Sequence, residues 1–137
     1  MKPSELVNRF YNDIWNARNY RIAEEVLASD LSFRGSLGPE STGIEAFIAY
    51  AESVHKALSS YTCEIKDLVE SDRNTCAARM MFTGKHTGEF LGHAPSFLQI
   101  NWAGAAFFKI ENSRICEIWV LGDLYSLHQQ LTLVDKT

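Results

Sequence analysis

The chain has 137 residues, of which 46% are hydrophobic, and a formal net charge of −4. This length fits one domain, which we place over residues 1–137, and this apolar content excludes a disordered chain. The acidic balance, with lysine and arginine scattered along the chain, argues against a nucleic-acid partner that binds through a basic face. No apolar run reaches the roughly 18–20 residues that span a bilayer, so we expect no membrane partner.

The cysteines and histidines predict packing rather than metal binding. An odd number of cysteines without Cys-x-x-Cys spacing is typical of reduced thiols in a cytosolic core, and the N-terminus lacks a signal-peptide pattern, so we expect a cytoplasmic protein. The cysteines are Cys63, Cys76 and Cys116. The four histidines show no ligand spacing with carboxylates or thiols, so we expect neither a metal site nor a cofactor. Three of them are expected at the surface, namely His55, His93 and His128.

Helices are predicted in the first part of the chain. Residues 4–17 carry apolar side chains on one face of a 3.6-residue period, and residues 20–28 form a shorter helix of the same kind. A short strand begins near Leu31. Thr42 and Glu45 then have the spacing of a capping box, which predicts the start of a helix that continues to about residue 58.

Strands are predicted from residue 61 onward, where the apolar period changes to two. The predicted strands cover about 61–66, 75–86, 98–110 and 115–122, and a short helix follows over 124–131. Consecutive strands joined by short turns pair antiparallel, and helices on one side of such a sheet define the α+β class. A long sheet of this kind curls, and the resulting concavity is where a small molecule binds.

Four stretches of the chain resemble the SnoaL-like polyketide cyclases, also called ester cyclases, and the resemblance covers about residues 5–131. They are FYNDIWN over 10–16, GKHTGEFLG over 84–92, WAGAAFFKIE over 102–111 and RICEIWVLGDLYSLHQQL over 114–131. The resemblance implies the NTF2-like fold, a cone in which a bent antiparallel sheet wraps around N-terminal helices. It also implies a homodimer and cofactor-independent ring closure of a small hydrophobic carbonyl compound.

Asp123 and His86 are the candidate catalytic residues. Asp123 matches the family's Asp after the last strand, and the resemblance implies that this residue is the base of an aldol-type ring closure. Burial near aromatic residues would raise its pKa and make it useful near neutrality, but it also stands where it could simply cap the last helix. His86 matches the His of the family's Gly-x-His-Thr-Gly stretch. It could hydrogen-bond a developing enolate oxygen or the loop that follows its strand.

Aromatic and sulfur-containing side chains are the candidate substrate-binding residues, because such walls hold flat ligands through apolar area and ring stacking. They are Tyr11, Phe33, Tyr50, Met80, Phe82, Trp102 and Trp119. A plain hydrophobic core is the alternative explanation for each. Arg79 and Lys85 alternate with the inward set of their strand and are expected as surface charges or as an interface pair.

Two segments depart from the family pattern. Ser96-Phe97-Leu98 replaces the usual Thr-Gly-Arg-like turn, which changes the pocket rim or a subunit contact. Phe33-Arg-Gly-Ser36 replaces a His or Asn of many members, so an acid/base partner is missing. Besides the cyclase, a non-catalytic binding protein and an isomerase similar to ketosteroid isomerases therefore stay open. The strands carry more apolar positions than one concave face can hold, which predicts a homodimer through the outer sheet face. These positions are Leu98, Ile100, Trp102, Ile118 and Val120.

Overall fold

The computed structural model describes residues 1–133, and the chain begins with helical turns. Helix α1 spans Pro3–Arg9, with Pro3 in the first turn, where its missing N–H costs nothing. The segment Phe10–Asn16 continues as a π-helix, closed by a bond from the Ala17 N–H to the Asn12 carbonyl at 3.1 Å. The helix predicted over residues 4–17 is therefore present, but its second half winds more widely. This wider turn buries four large side chains, Phe10, Tyr11, Ile14 and Trp15.

The next elements differ from the predicted boundaries. After a 3₁₀ turn at Tyr20–Ile22, helix α2 covers only Ala23–Val26, because Leu27 already has extended backbone and pairs with Ile115. Strand β1 spans Leu27–Arg34, and β2 spans Glu40–Thr42 and pairs antiparallel with it.

The capping box predicted at Thr42 and Glu45 is wrong. Thr42 is the last residue of β2, and helix α3, Ile44–Ala57, begins after Gly43 with no side-chain cap. Gly43 has a φ of +95°, in the left-handed region that glycine adopts without strain. The sharp turn from strand to helix therefore depends on the glycine rather than on the threonine hydroxyl.

The long strands build one six-stranded sheet in the order β2-β1-β6-β5-β4-β3. Their bounds are β3, Leu58–Glu70; β4, Thr75–His86; β5, Gln99–Glu111; and β6, Arg114–Gly122. Neighbours among β3 to β6 pair antiparallel, as predicted. Strand β1 instead pairs parallel with β6, a long-range pairing that was not predicted. Helix α4, Leu124–Thr132, ends the described chain.

The sheet pleat separates a core face from an outer face. Alternate residues of β4, such as Met80 and Phe82, are buried against the helices, while Arg79 and Lys85 point outward and are exposed. The α+β class is thus confirmed. No helix within residues 1–133 has the length and apolar character needed to cross a bilayer.

The outer face of the sheet does carry apolar side chains, but they are not the ones expected from the sequence. Ile100, Trp102, Ile118 and Val120 are all buried on the core side, so they contribute nothing to this face. The exposed apolar side chains of the outer face lie on β3, β5 and β6 instead, and we call them the outer patch. They are Val69, Phe107, Trp119 and Leu121.

Candidate functional site

A narrow cleft enters the core between the π-helical segment, β1 and α3. Its volume, counted as the space open to the centre of a water molecule, is about 20 Å³. Most of its wall is aromatic. The lining residues are Phe10, Tyr11, Trp15, Phe33, Gly35, Ser36, Tyr50, Tyr61, Phe82 and Val120. We call this space the aromatic cleft.

The rings of the aromatic cleft pack edge to face. The ring centroids of Tyr50 lie 5.3 Å from Phe33 and 6.1 Å from Trp15, and Trp15 lies 5.5 Å from Tyr61. Edge-to-face pairs of this kind add stabilisation beyond the area they bury. The aromatic side chains of the cleft wall are therefore held in place by contacts with one another.

Tyr50 is half-buried, whereas the other lining residues of the aromatic cleft are buried, so we take its side chain to mark the mouth of the cleft. Gly35 makes this placement feasible, because a Cβ there would overlap the Tyr50 hydroxyl. Burial raises the pKa of Tyr50 to about 12, although hydrogen bonds from the Leu37 backbone and the Ser36 side chain act in the opposite direction. The phenol is therefore protonated at neutral pH.

Tyr11 places an unsatisfied hydroxyl in the interior. Its side chain is 1% exposed, and its hydroxyl has no hydrogen-bond partner among residues 1–133. Burial, followed by the proximity of Cys63 and Tyr50, raises the pKa of Tyr11 well above its usual value, and burial does the same for Tyr61. Because a buried polar group without a partner costs free energy, Tyr11 marks a place where a ligand oxygen would be stabilised.

His86 lies deeper than the aromatic cleft. It ends β4, is fully buried, and bonds through Nδ1 to Ser96, so the predicted bond to the following loop is confirmed. Its Nε2 has no partner among the described residues. The ring packs 6.2 Å from Phe90, which packs 6.1 Å from Trp102, and Trp102 backs onto the cleft residue Phe82 at 5.4 Å. Two aromatic rings, Phe90 and Trp102, thus connect His86 to the cleft residue Phe82.

Asp123 lies outside the aromatic cleft. It is exposed between β6 and α4, and its Oδ1 accepts the Ser126 N–H at 3.1 Å. Its own N–H donates to the Ala103 carbonyl at 2.8 Å. The capping role is confirmed, and the catalytic role stays a prediction. The two candidate catalytic residues are not brought together in one cavity.

The seven predicted substrate-binding residues lie in three different places. Tyr11, Phe33, Tyr50 and Phe82 line the aromatic cleft, while Met80 and Trp102 are buried in the core outside its lining. The interior placement of Trp119 is wrong. The pleat of β6 turns Ile118 and Val120 inward, so Trp119 lies on the outer face, with the Arg34 guanidinium 5.3 Å above its ring.

The prediction for His55 also needs correction. It is half-buried rather than facing solvent, with Nε2 3.0 Å from the Trp15 carbonyl, and burial lowers its pKa. His128 is exposed, as predicted.

The sequence reasoning missed six residues that line the cleft, namely Phe10, Trp15, Gly35, Ser36, Tyr61 and Val120. Trp15 and Tyr61 belong to apolar alternations that predict core, so the pattern alone could not distinguish them. Among residues 1–133, no group of three or more histidine, cysteine, aspartate or glutamate side chains is placed to hold a metal ion.

Comparison with known proteins identifies a family and a fold. Residues 5–131 match the family described as SnoaL-like polyketide cyclase. TsrD from Streptomyces laurentii superimposes with a TM-score of 0.82 at 24% identity, covering 93% of this chain and 92% of that one. A candidate SnoaL-like polyketide cyclase from Jannaschia sp. CCS1 superimposes with a TM-score of 0.85 at 17% identity, covering 96% of this chain and 92% of that one. IdmH from Streptomyces antibioticus, a candidate polyketide cyclase, superimposes with a TM-score of 0.83 at 19% identity, covering 97% of this chain and 100% of that one. No curated protein sequence matches the chain.

Proposed function

The chain belongs to the SnoaL-like polyketide cyclase family, with its NTF2-like fold, and from that premise we propose that it closes a ring in a small hydrophobic carbonyl compound bound in the aromatic cleft. In an aldol-type closure, a base removes a proton next to one carbonyl, and the enolate carbon bonds to a second carbonyl carbon. The resulting alkoxide then takes up a proton, so the atoms balance without a cofactor. The observation that carries the proposal is the buried, unpartnered hydroxyl of Tyr11 in an aromatic cavity.

Tyr11 supplies a donor where this reaction develops negative charge. A protonated phenol donates a hydrogen bond to a carbonyl oxygen, and that bond strengthens as the oxygen becomes an enolate or alkoxide. Among residues 1–133 no charged side chain lines the cleft. A neutral substrate is therefore favoured, because a buried ion without a partner is costly.

The roles of Asp123 and His86 remain part of the proposal. His86 would stabilise the oxygen of the enolate through its unpartnered Nε2 only if Phe90 and Trp102, the rings that connect it to the cleft residue Phe82, moved aside. Asp123 would act as the base, and its exposed position at the start of α4 restricts it to a part of the substrate that extends out of the cleft.

Substrate entry requires Tyr50 to leave the mouth. The closed cleft has room for little more than one water molecule, so an aromatic ring can enter only when the Tyr50 side chain rotates outward. Tyr50→Ala should therefore strengthen the binding of an aromatic ketone. A weaker interaction in this variant would argue that Tyr50 forms part of the binding wall instead.

The test of the binding site compares two identical substitutions on the two faces of the sheet. Val120→Phe fills the cleft, whereas Val69→Phe adds the same ring to the exposed outer face. We expect aromatic polyketide-like ketones, screened between about pH 5 and 8, to raise the melting temperature of the wild type and of Val69→Phe but not of Val120→Phe. Equal stabilisation of all three proteins would remove the cleft from the proposal.

A second candidate function, binding without catalysis, is favoured by one observation. Asp123 is exposed and engaged as a helix cap, and no carboxylate among residues 1–133 lines the cleft. Asp123→Asn distinguishes the two functions, since it retains the cap and removes the basicity. Ring closure with Asp123 as base requires a loss of turnover of at least ~100-fold. A folded variant with unchanged turnover would exclude this base.

The outer patch supports the proposed homodimer. The rings of Phe107 and Trp119 pack with centroids 5.9 Å apart and remain 52% and 38% exposed, and Leu121 on the same face is also exposed. Contiguous exposed apolar surface is typical of an interface, and in a two-fold symmetric dimer the same patch of each copy would cover that of the other. Light scattering should give twice 15.5 kDa for the wild type and 15.5 kDa for Trp119→Lys. A monomeric wild type at micromolar concentration would refute the dimer.

A further inference from the structure

His86 is held by the loop that follows its strand through two bonds to the same ring nitrogen. The Ser96 hydroxyl lies 3.0 Å from Nδ1, and the Ser96 backbone N–H donates to Nδ1 at 3.3 Å. A backbone N–H can only donate, so Nδ1 must be the acceptor and must carry no proton. The uncharged ring therefore carries its single proton on Nε2.

The hydroxyl of Ser96 also acts as a donor to Nδ1, like the backbone N–H of the same residue. Its oxygen accepts the Leu98 N–H at 3.3 Å, which leaves its own proton free to point at Nδ1. Both bonds from Ser96 to the ring thus run in one direction, toward His86.

The backbone of the loop is fixed around the main chain of His86. The Phe97 N–H donates to the His86 carbonyl at 2.8 Å, and the His86 N–H donates to the Leu98 carbonyl at 3.0 Å. Phe97 has a φ of +61°, in the left-handed region that a bulky residue rarely adopts. Such a conformation persists only where the surroundings enforce it, and here it sets Ser96 beside the ring.

The Nε2 proton, by contrast, is buried and has no partner among residues 1–133. The nearest ring is Phe90, at 6.2 Å between centroids, and an aromatic face is only a weak acceptor. A donor left in this state is available for a stronger acceptor that enters the interior.

We propose that Ser96 is a positioning residue: by donating its hydroxyl and its backbone N–H to Nδ1, it holds His86 as the Nε2–H tautomer and presents that proton to the interior as a hydrogen-bond donor. The segment Ser96-Phe97-Leu98, which departs from the usual family turn, is thereby given a function. The step in which the Nε2 proton meets a substrate oxygen rests on the proposed function, whereas the tautomer itself does not.

The test records the ring nitrogens of ¹⁵N-labelled protein in long-range ¹H–¹⁵N correlation spectra, with His86→Gln to assign the His86 signals. We expect the Nε2–H pattern in the wild type and in Ser96→Thr, which keeps the hydroxyl. Ser96→Ala should speed the exchange of the Nε2 proton with water about 5-fold, the effect of losing one ordinary hydrogen bond. Ser113→Ala, in an exposed hairpin turn, is the control and should leave the spectrum unchanged.

A wild-type Nδ1–H pattern, or a Ser96→Ala spectrum identical to that of the wild type, would overturn the proposal. A second arm adds 2-acetylnaphthalene as the probe. Movement of the Nε2 proton signal on binding supports the donor role, and binding without such movement overturns it. If the probe fails to bind while the tautomer and the Ser96→Ala effect are observed, the positioning role stands and the proposed function of the cleft fails.

Discussion

Removing the Tyr50 hydroxyl should change how stability depends on alkaline pH. The pKa of Tyr50 is raised to about 12 by burial at the mouth of the cleft, against about 10 for an ordinary phenol. Below pH 10 the folded and unfolded states both hold the proton. Between pH 10 and 12 only the unfolded state releases it, so stability is lost as the pH rises through this window.

The size of this effect follows from the two pKa values. At pH 11 the unfolded phenol is about 90% ionised and the folded phenol about 10%, which gives a loss of about 1.4 kcal/mol from this residue alone. Tyr50→Phe cannot lose this contribution. At pH 8 the variant lacks only the hydrogen bonds of the hydroxyl, a cost of about 1 kcal/mol.

Urea unfolding of both proteins at pH 8 and pH 11 measures the effect. Other groups titrate in both proteins, so their contributions largely cancel in the difference between wild type and variant. We expect that difference in unfolding free energy to shift by about 1.4 kcal/mol in favour of the variant at pH 11. A difference independent of pH would show that Tyr50 is solvated in the folded state, and the closed mouth would then be wrong.

The other predictions concern the last strand and the helix after it. Asp123→Ala should lower the unfolding free energy by about 1 kcal/mol, or the melting temperature by about 4 °C, because the cap is lost. Asp123→Asn keeps the cap and should change both quantities little. Equal melting temperatures of the two variants would contradict the capping role. Gly122→Ala should destabilise by roughly 1–3 kcal/mol in chemical unfolding, because its Cβ would lie 2.5 Å from the Ser36 carbonyl oxygen. Wild-type stability in that variant would mean that the β1–β2 loop shifts freely.

Periodicity predicted the elements where one face is apolar and the other polar. The strand Thr75–His86 has the predicted bounds because its buried set, which includes Met80 and Phe82, alternates with an outward set that contains Arg79, Thr83 and Lys85. In β6 both alternating sets are apolar, Ile118 with Val120 and Trp119 with Leu121. Alternation alone could not decide which set faces the core, and Trp119 was assigned to the wrong side.

The hydrophobic pattern also could not predict the pairing of distant strands or the type of helical turn. The parallel pairing of β1 with β6 joins residues about 85 positions apart, as in Phe33 with Ile118, and no local signal indicates it. The π-helical turn at Phe10–Asn16 keeps the same apolar residues as an α-helix and only changes their spacing. For Asp123 the sequence supported both a base and a cap; the structure shows the cap, and the role as base stays a prediction.

The central claim is that the aromatic cleft holds the ligand, and intermolecular nuclear Overhauser effects test it most directly. With 2-acetylnaphthalene bound to labelled protein, the account predicts contacts from the ligand to the ring protons of Tyr11 and Phe33, which line the cleft. Contacts to Phe107 and Trp119 on the outer face, with none to Tyr11 or Phe33, would contradict it.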